Sequence, residues 1–327
     1  MDTPAFRSQP IGHGGRHGEL STMNARMSAA LAWGGVLLAG ALWGGGALVA
    51  QFLIDGGIAP QSLSLARFAL GLPLLWWLHW RGSARPGGHW ADLAGRERFQ
   101  VLATGAAMAL NVSCWFVGIS HLGAALPTVI SICCAPLIVA LVSVLRGYER
   151  FGARLLAGLL LALAGVFLLV MPADGWGPLA PGHAAGVAWS LASAFCYAMV
   201  VLGNARMPAR VPAVTASAWG MTVAALCMLA VAWPRGITWP AGGAQWLGVG
   251  YTGVVTTSVA YLAFAWGARR LSPPSEVIGT LIEPLVAALL AAALLAEPMA
   301  PRQWAGALLL AGAMLLLARR GESAQTD

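Results

Sequence analysis

Long apolar stretches separated by short polar segments make up most of this sequence. We predict ten helical spans, at residues 29–51, 62–80, 99–119, 122–145, 153–171, 184–203, 213–233, 244–267, 275–295 and 302–319. An α-helix needs roughly 20 apolar residues to cross a hydrocarbon core of about 30 Å. Because lipid offers no hydrogen bonds, a spanning segment must satisfy its own backbone, which favours helices. The alternating segments of about ten residues that mark a membrane β-barrel are missing. The predicted fold is an all-α polytopic membrane protein.

Composition supports a membrane protein and argues against two other classes, nucleic-acid-binding proteins and P-loop ATPases. Of the 327 residues, 58% are hydrophobic and 9% are charged, whereas soluble domains carry about 25% charged residues. The net charge of +7 would suggest nucleic acid in a soluble protein. Here the basic residues lie mainly between the apolar stretches, so we expect a lipid bilayer and no nucleic acid as partner. All 19 basic residues are arginine, and a P-loop ATPase site requires lysine, so that site is excluded.

The distribution of arginine predicts the orientation. With the N-terminus inside, sixteen arginines fall in cytoplasmic segments and two, Arg235 and Arg302, in outer segments, while Arg67 lies within a span. Positive connections stay in the cytoplasm. We therefore predict a multi-pass protein of the bacterial inner membrane with both termini cytoplasmic. Residues 1–28 are polar and glycine-rich, which predicts a disordered tail, and residues 320–327 form a second tail.

The chain contains an internal repeat. An offset of 148 positions places the fourth and fifth spans on the ninth and tenth without a gap, and it aligns residues that apolar helices rarely share by chance. The aligned pairs are Pro136 with Pro284, Glu149 with Glu297 and Gly158 with Gly306. Residues 29–171 and 184–319 thus form two repeats of five spans. Because five is odd, the copies must be inverted across the membrane, which is typical of transporters with a site between the halves.

These residues resemble the drug/metabolite transporter superfamily, in the type that has two EamA domains. The resemblance covers about residues 29–318 and is carried by Trp43, Gly44, Pro60, Arg67, Pro136, Glu149, Gly158, Glu283, Pro284, Glu297 and Gly306. It implies a ten-helix carrier with a central cavity between its halves, and many such carriers export amino acids or other metabolites. The second half departs from the pattern where Trp219 stands at the position equivalent to Arg67.

Two charged residues within spans are candidates for function, because each costs about 2.5–3.5 kcal/mol at the bilayer centre. Glu283 directly precedes Pro284, which leaves the carbonyl of Thr280 without its helical donor and predicts a kink. Glu283 then either exchanges protons or braces the kink by hydrogen bonds. Pro136 predicts the same kink in the first half, without an acid. Arg67 either extends to the outer surface or points inward, where it could hold an anionic group on a substrate or pair with an acid.

Other polar and aromatic residues predict a cavity lining. Asn111 and Trp115 are four apart and share a helix face, as do Thr257 and Tyr261. The remaining aromatic residues away from span ends are Trp43, Trp189 and Tyr197. Such residues either pack the helices or together line a cavity for an amphipathic molecule.

The function predicted from the sequence and the resemblance is secondary transport. The protein is expected to move a small metabolite, an amino acid or similar amphipathic compound, by alternating access, with export favoured over import. Protons are the candidate coupling ion, and the oligomeric state stays open. The alternatives are an intramembrane enzyme and a non-transporting scaffold. No metalloprotease motif is present, the five cysteines fit no metal pattern, and we expect no cofactor or metal.

Overall fold

The computed structural model describes residues 14–82, 88–122, 125–147, 152–171, 183–294 and 299–323. Within these ranges every regular element is helical and no strand occurs, as the all-α prediction requires. The α-helices are α1 (Gly14–Asp55), α2 (Pro60–Gly82), α3 (Gly95–Leu122), α4 (Ala125–Leu145), α5 (Ala153–Val170), α6 (His183–Ala205), α7 (Ala213–Ala232), α8 (Gly243–Gly253), α9 (Ala260–Ala268), α10 (Pro273–Thr280), α11 (Ile282–Leu294) and α12 (Pro301–Ser323).

Six helical stretches in the described chain are long and apolar enough to cross a membrane. They are Met27–Asp55, Gly95–Gly118, Ala184–Ala205, Ala213–Arg235, Gly243–Ala268 and Pro273–Leu290. Helices α4 and α5 contain shorter apolar runs, Ile130–Leu145 and Ala153–Leu169. The protein is therefore a multi-pass helical membrane protein. The full count of ten spans stays a prediction.

The helices at both termini extend into the segments that we predicted as tails. Helix α1 begins at Gly14, inside the predicted tail 1–28, and α12 runs to Ser323. Between Pro10 and Pro60 the sequence has no proline, so nothing stops the helix at the polar boundary. Residues 1–13 and 324–327 lie outside the described residues, as do Glu149, Asp174 and Glu297.

Two helices of the second half depart from regular α-helix. A π-helix at Val254–Val259 joins α8 to α9 without a break, and such insertions occur frequently at functional sites. Helix α10 ends at Thr280 and α11 begins at Ile282, so the interruption lies just before Glu283 and Pro284. Helix α4, in contrast, is continuous through Pro136.

The strongest helix contacts join the two halves. Helix α1 packs against α9 and α11, α6 packs against α3 and α4, α2 packs against α7 and α8, α3 packs against α7, and α5 packs against α12. When α8–α9 and α10–α11 are each counted as one helix, every contact in this set has an equivalent in which each helix is replaced by its counterpart in the other half. The α5–α12 pair is close because two glycines meet: a Cβ at Gly165 would lie 2.8 Å from the carbonyl oxygen of Gly306. The inverted relation of the halves stays a prediction.

Connections that we predicted for the same side of the membrane contact each other. On the predicted outer side, the backbone N–H of Ala59 donates to Thr238 Oγ1 at 2.8 Å. On the predicted cytoplasmic side, Arg210 forms a 2.6 Å salt bridge with Glu97, and Arg269 donates to the carbonyl of Val211. Burial, together with the neighbouring charge of Arg270, lowers the pKa of Arg269 to about 10, so this arginine still carries its charge at neutral pH. Which side faces the cytoplasm is a prediction from the arginine distribution.

Thiol labelling tests this orientation. Asp55, Arg235 and Arg146 are all exposed at helix ends, and the native cysteines are replaced by alanine beforehand. A cysteine at Asp55 or Arg235 is expected to react with a membrane-impermeant maleimide in intact cells, because both positions are predicted to face the periplasm. A cysteine at Arg146 is expected to react only after permeabilisation. The reverse pattern would overturn the orientation.

Candidate functional site

The π-helix is the point where the first half reaches into the second. Trp43 of α1 donates its indole N–H to the carbonyl oxygen of Thr256 at 2.8 Å. Its ring also packs against Tyr261 and Phe264, with centroid distances of 4.9 and 5.3 Å. Tyr261 is only 8% exposed, and its hydroxyl donates to the sulfur of Met108 at 2.9 Å. Trp43, Tyr261 and Met108 thus link α1, α9 and α3 in one cluster.

Arg67 points to the same π-helix. Its Nε donates to Thr257 Oγ1 at 3.3 Å, and the Thr257 hydroxyl, which is fully buried, donates to the carbonyl of Thr252. The guanidinium also interacts electrostatically with Tyr261 and Glu283. The structure therefore places this charge against the second half, which is the inward alternative of the two that the sequence left open.

Glu283 lies at the interruption between α10 and α11, where α1 approaches most closely. A Cβ at Gly44 would collide with the carbonyl oxygen of Glu283, so only glycine allows the two backbones to meet. One helical turn earlier, the hydroxyls of Thr280 and Tyr197 form a 3.0 Å hydrogen bond. Glu283 and Tyr197 also interact electrostatically. The interrupted helix therefore presents a carboxylate and the hydroxyl of Thr280, α6 adds the hydroxyl of Tyr197, and the carboxylate interacts electrostatically with Arg67.

The other predicted residues are more dispersed. Asn111 accepts a 2.8 Å hydrogen bond from Ser193 and borders the central cluster through Met108. The ring of Trp115 lies 5.0 Å from that of Phe116. Trp189 is 44% exposed and has no hydrogen bond or ring contact to any described residue. The structure therefore brings six of the predicted residues together, with Asn111 at the edge of this group and Trp189 apart from it. The six residues are Trp43, Arg67, Tyr197, Thr257, Tyr261 and Glu283.

A narrow cavity opens beside this cluster, between α3, α6, α7 and α9. Its lining residues are Val101, Thr104, Gly105, Met108, Val200, Asn204, Met207, Ala216, Ser217, Gly220, Met221, Tyr261 and Ala265. Only about 30 Å³ of it is accessible to water, which is room for one or two water molecules. A metabolite does not fit in this cavity, and we call this arrangement of the helices, in which the cavity is too small for a substrate, the closed conformation.

The sequence analysis missed Glu276. This residue lies in the predicted span 275–295 and precedes Glu283 by seven positions, so the two lie near the same helix face. The sequence predicts no special role for it, because it lies at the beginning of the span and acidic residues are favoured at the N-terminal end of a helix. In the structure its side chain is fully buried.

An all-helical membrane protein with charged and aromatic residues clustered between its halves has the features of a membrane transporter. The profile of the EamA-like transporter family matches residues 30–171 and again residues 184–319. The chain therefore belongs to the EamA-like transporter family, and its two matched segments are two EamA-like domains.

Two curated relatives cover nearly the same length. The chain is 28% identical over 287 residues to the uncharacterized inner membrane transporter YicL of Salmonella typhimurium. This alignment covers 86% of this chain and 93% of the relative. It is 27% identical over 289 residues to the uncharacterized transporter YwfM of Bacillus subtilis, with coverage of 86% and 92%. These relatives support a transporter of the membrane and leave its substrate open.

A solved structure has the same fold. A protein crystal structure superposes with a TM-score of 0.74, covering 89% of this chain and 98% of that one at 22% sequence identity. At this identity the similarity concerns the fold alone. The family and the relatives together indicate transport and not an enzymatic activity.

Proposed function

We propose that this protein exports a small amphipathic metabolite, an amino acid or similar compound, by alternating access, and that Glu283 carries a coupling proton. The observation that supports this most directly is the convergence of opposite charges from the two halves. Arg67 comes from α2 and Glu283 from α11, and each is costly in lipid. Arg67 contacts the π-helix through Thr257 and Glu283 lies at the interrupted helix, and the two charges interact electrostatically without a salt bridge between them in the described chain.

The pair of charges favours a zwitterionic substrate. A guanidinium binds carboxylates well because its planar donors match the two oxygens. A carboxylate such as Glu283 accepts hydrogen bonds from an ammonium group. The aromatic rings of Trp43 and Tyr261, packed 4.9 Å apart, supply an apolar surface for a side chain. An α-amino acid carries all three of these features.

The closed conformation is consistent with alternating access. The halves contact each other along α1, α9 and α11 and along α3, α4 and α6, and the cavity beside the cluster is too small for a metabolite. Movement of one half against the other would open the cluster to either side in turn. A proton on Glu283 would neutralise this carboxylate during the return step, when no substrate is bound.

Glutamine at Glu283 tests the coupling. The substrate is first identified by comparing metabolites in the medium of cells that lack and cells that overproduce the protein. We then expect the purified Glu283→Gln variant, in proteoliposomes, to bind and exchange this metabolite but to lose its response to an imposed pH gradient. Glutamine keeps the size of a protonated glutamate and cannot release a proton.

Glu97→Gln is the matched control, because Glu97 lies in the first turn of α3, pairs there with Arg210 and is outside the proposed site. It should retain the full response to the gradient. Unchanged pH dependence in Glu283→Gln would show that Glu283 is structural, and the absence of any exported metabolite would contradict the proposed function itself.

A further inference from the structure

Glu276 is the most deeply buried carboxylate among the described residues. Its side chain is 0% exposed, and neither carboxylate oxygen has a hydrogen-bond partner within the described chain. It lies one turn into α10, a helix that packs against α1, α4, α6, α9, α11 and α12. Neighbouring helices therefore enclose this acid on several sides.

An ionised Glu276 would be very unfavourable in this environment. Burying an uncompensated ion costs much more than burying a neutral carboxylic acid. The N-terminal end of α10 favours a negative charge, but this contribution is smaller than the cost of burying the ion. Burial therefore favours the protonated form of Glu276 in the closed conformation.

The titratable groups around α10 whose side chains the structure describes include one cation, Arg302, and it forms no ion pair with Glu276. On the helices that pack against α10, these groups are Asp55, Cys133, Cys134, Cys196, Tyr197, Tyr261, Glu283 and Arg302. Glu276 interacts electrostatically with Tyr197, whose hydroxyl is bonded to Thr280. Glu283 has Arg67 as an electrostatic partner, whereas no described cation lies within ion-pair distance of Glu276. The two acids of this span therefore differ in their surroundings.

We propose that Glu276 is a second proton-binding site, which holds a proton while the helices around α10 are closed and releases it to water when they part. In the loading step an O–H bond forms between a carboxylate oxygen and a proton delivered by water. In the release step that bond breaks and water takes the proton.

The position of Glu276 indicates the side of the membrane with which it exchanges this proton. The residue lies near the beginning of α10, which follows the connection predicted to be cytoplasmic, and about 10 Å along the helix axis from Glu283, at 1.5 Å per residue. Cytoplasmic water would therefore reach Glu276 before it reaches Glu283. The use of this proton in transport rests on the proposed function, but its binding does not.

Infrared spectroscopy of the full-length protein in lipid tests the proposal without a substrate. A buried carboxylic acid has a C=O stretching band that is separate from the carboxylate bands. We expect the wild-type protein to show such a band at neutral pH and to retain it into the alkaline range. Glu276→Gln is expected to lose this band, and Glu97→Gln to keep it. Glu283→Gln is expected to keep the component that Glu276→Gln removes.

Three results would overturn the proposal. One is the absence of the band in folded wild-type protein at neutral pH, which requires no variant to fold. Another is a band in Glu276→Gln equal to that of the wild type. The third is loss of the band when sodium chloride replaces choline chloride at constant pH, which would indicate a sodium site. If no transport is found while the band behaves as expected, only the proposed function fails.

Discussion

Arg67→Leu and Glu283→Leu are each expected to reduce transport of the identified metabolite about tenfold or more, which corresponds to about 1.4 kcal/mol. Each substitution removes one charge of the Arg67–Glu283 pair and leaves the other without this electrostatic partner. An unpaired charge in a buried site is costly, and a zwitterionic substrate would lose one of its two anchors. The measurement is initial uptake into proteoliposomes with equal amounts of folded protein.

Two further substitutions serve as controls. Arg146→Leu makes the same chemical change at an exposed helix end, and Glu149→Gln alters an acid whose repeat counterpart, Glu297, is also an acid. Both should transport almost normally. The repeat supplies the reason: Arg67 aligns with Trp219 and Glu283 with Ala135, so neither charge is a requirement of the shared scaffold.

The double variant distinguishes a pair from two independent residues. If Arg67 and Glu283 interact, directly or through substrate, a double-mutant cycle should give a coupling free energy above about 0.5 kcal/mol. Additive effects would contradict the pairing. Near-normal transport by both single variants would also contradict the inference that charges without a counterpart in the other repeat serve transport.

Gly44→Ala is expected to destabilise the protein by about 1–3 kcal/mol, as overpacking of a close contact does. The added methyl group would collide with the carbonyl oxygen of Glu283 and would lie 3.1 Å from the backbone nitrogen of Ala287. Backbone atoms cannot rotate away as a side chain can, so α1 and α11 must separate. The thermal unfolding midpoint of the purified protein in detergent measures this effect.

Gly34→Ala is the control on the same helix. A Cβ at Gly34 meets nothing within 4 Å, and alanine favours helix over glycine by up to about 1 kcal/mol. Its midpoint should stay the same or rise. Equal midpoints for the two variants would show that the α1–α11 approach does not depend on Gly44.

The positions of the site residues illustrate what a sequence can predict. Arg67 and Glu283 were found because a charge inside an apolar run is costly wherever the helix packs. The hydrogen bond from Arg67 to Thr257 could not be predicted, because the two residues lie 190 positions apart and helical periodicity gives no information on contacts between distant helices. Trp189 has the same apolar surroundings in sequence as Trp43, yet only Trp43 reaches the π-helix.

By itself, the sequence determined that this is a helical membrane protein with two related halves and with charged residues inside spans, where a charge is costly. Those properties follow from local composition and spacing, since lipid imposes the same demand on every spanning segment. The tertiary structure alone decided that Arg67 donates to Thr257, that Glu283 lies against Gly44, and that Glu276 is buried with no hydrogen-bond partner among the described residues. Each of these depends on which helices approach and at what rotation, and that is set by packing between segments far apart in the chain.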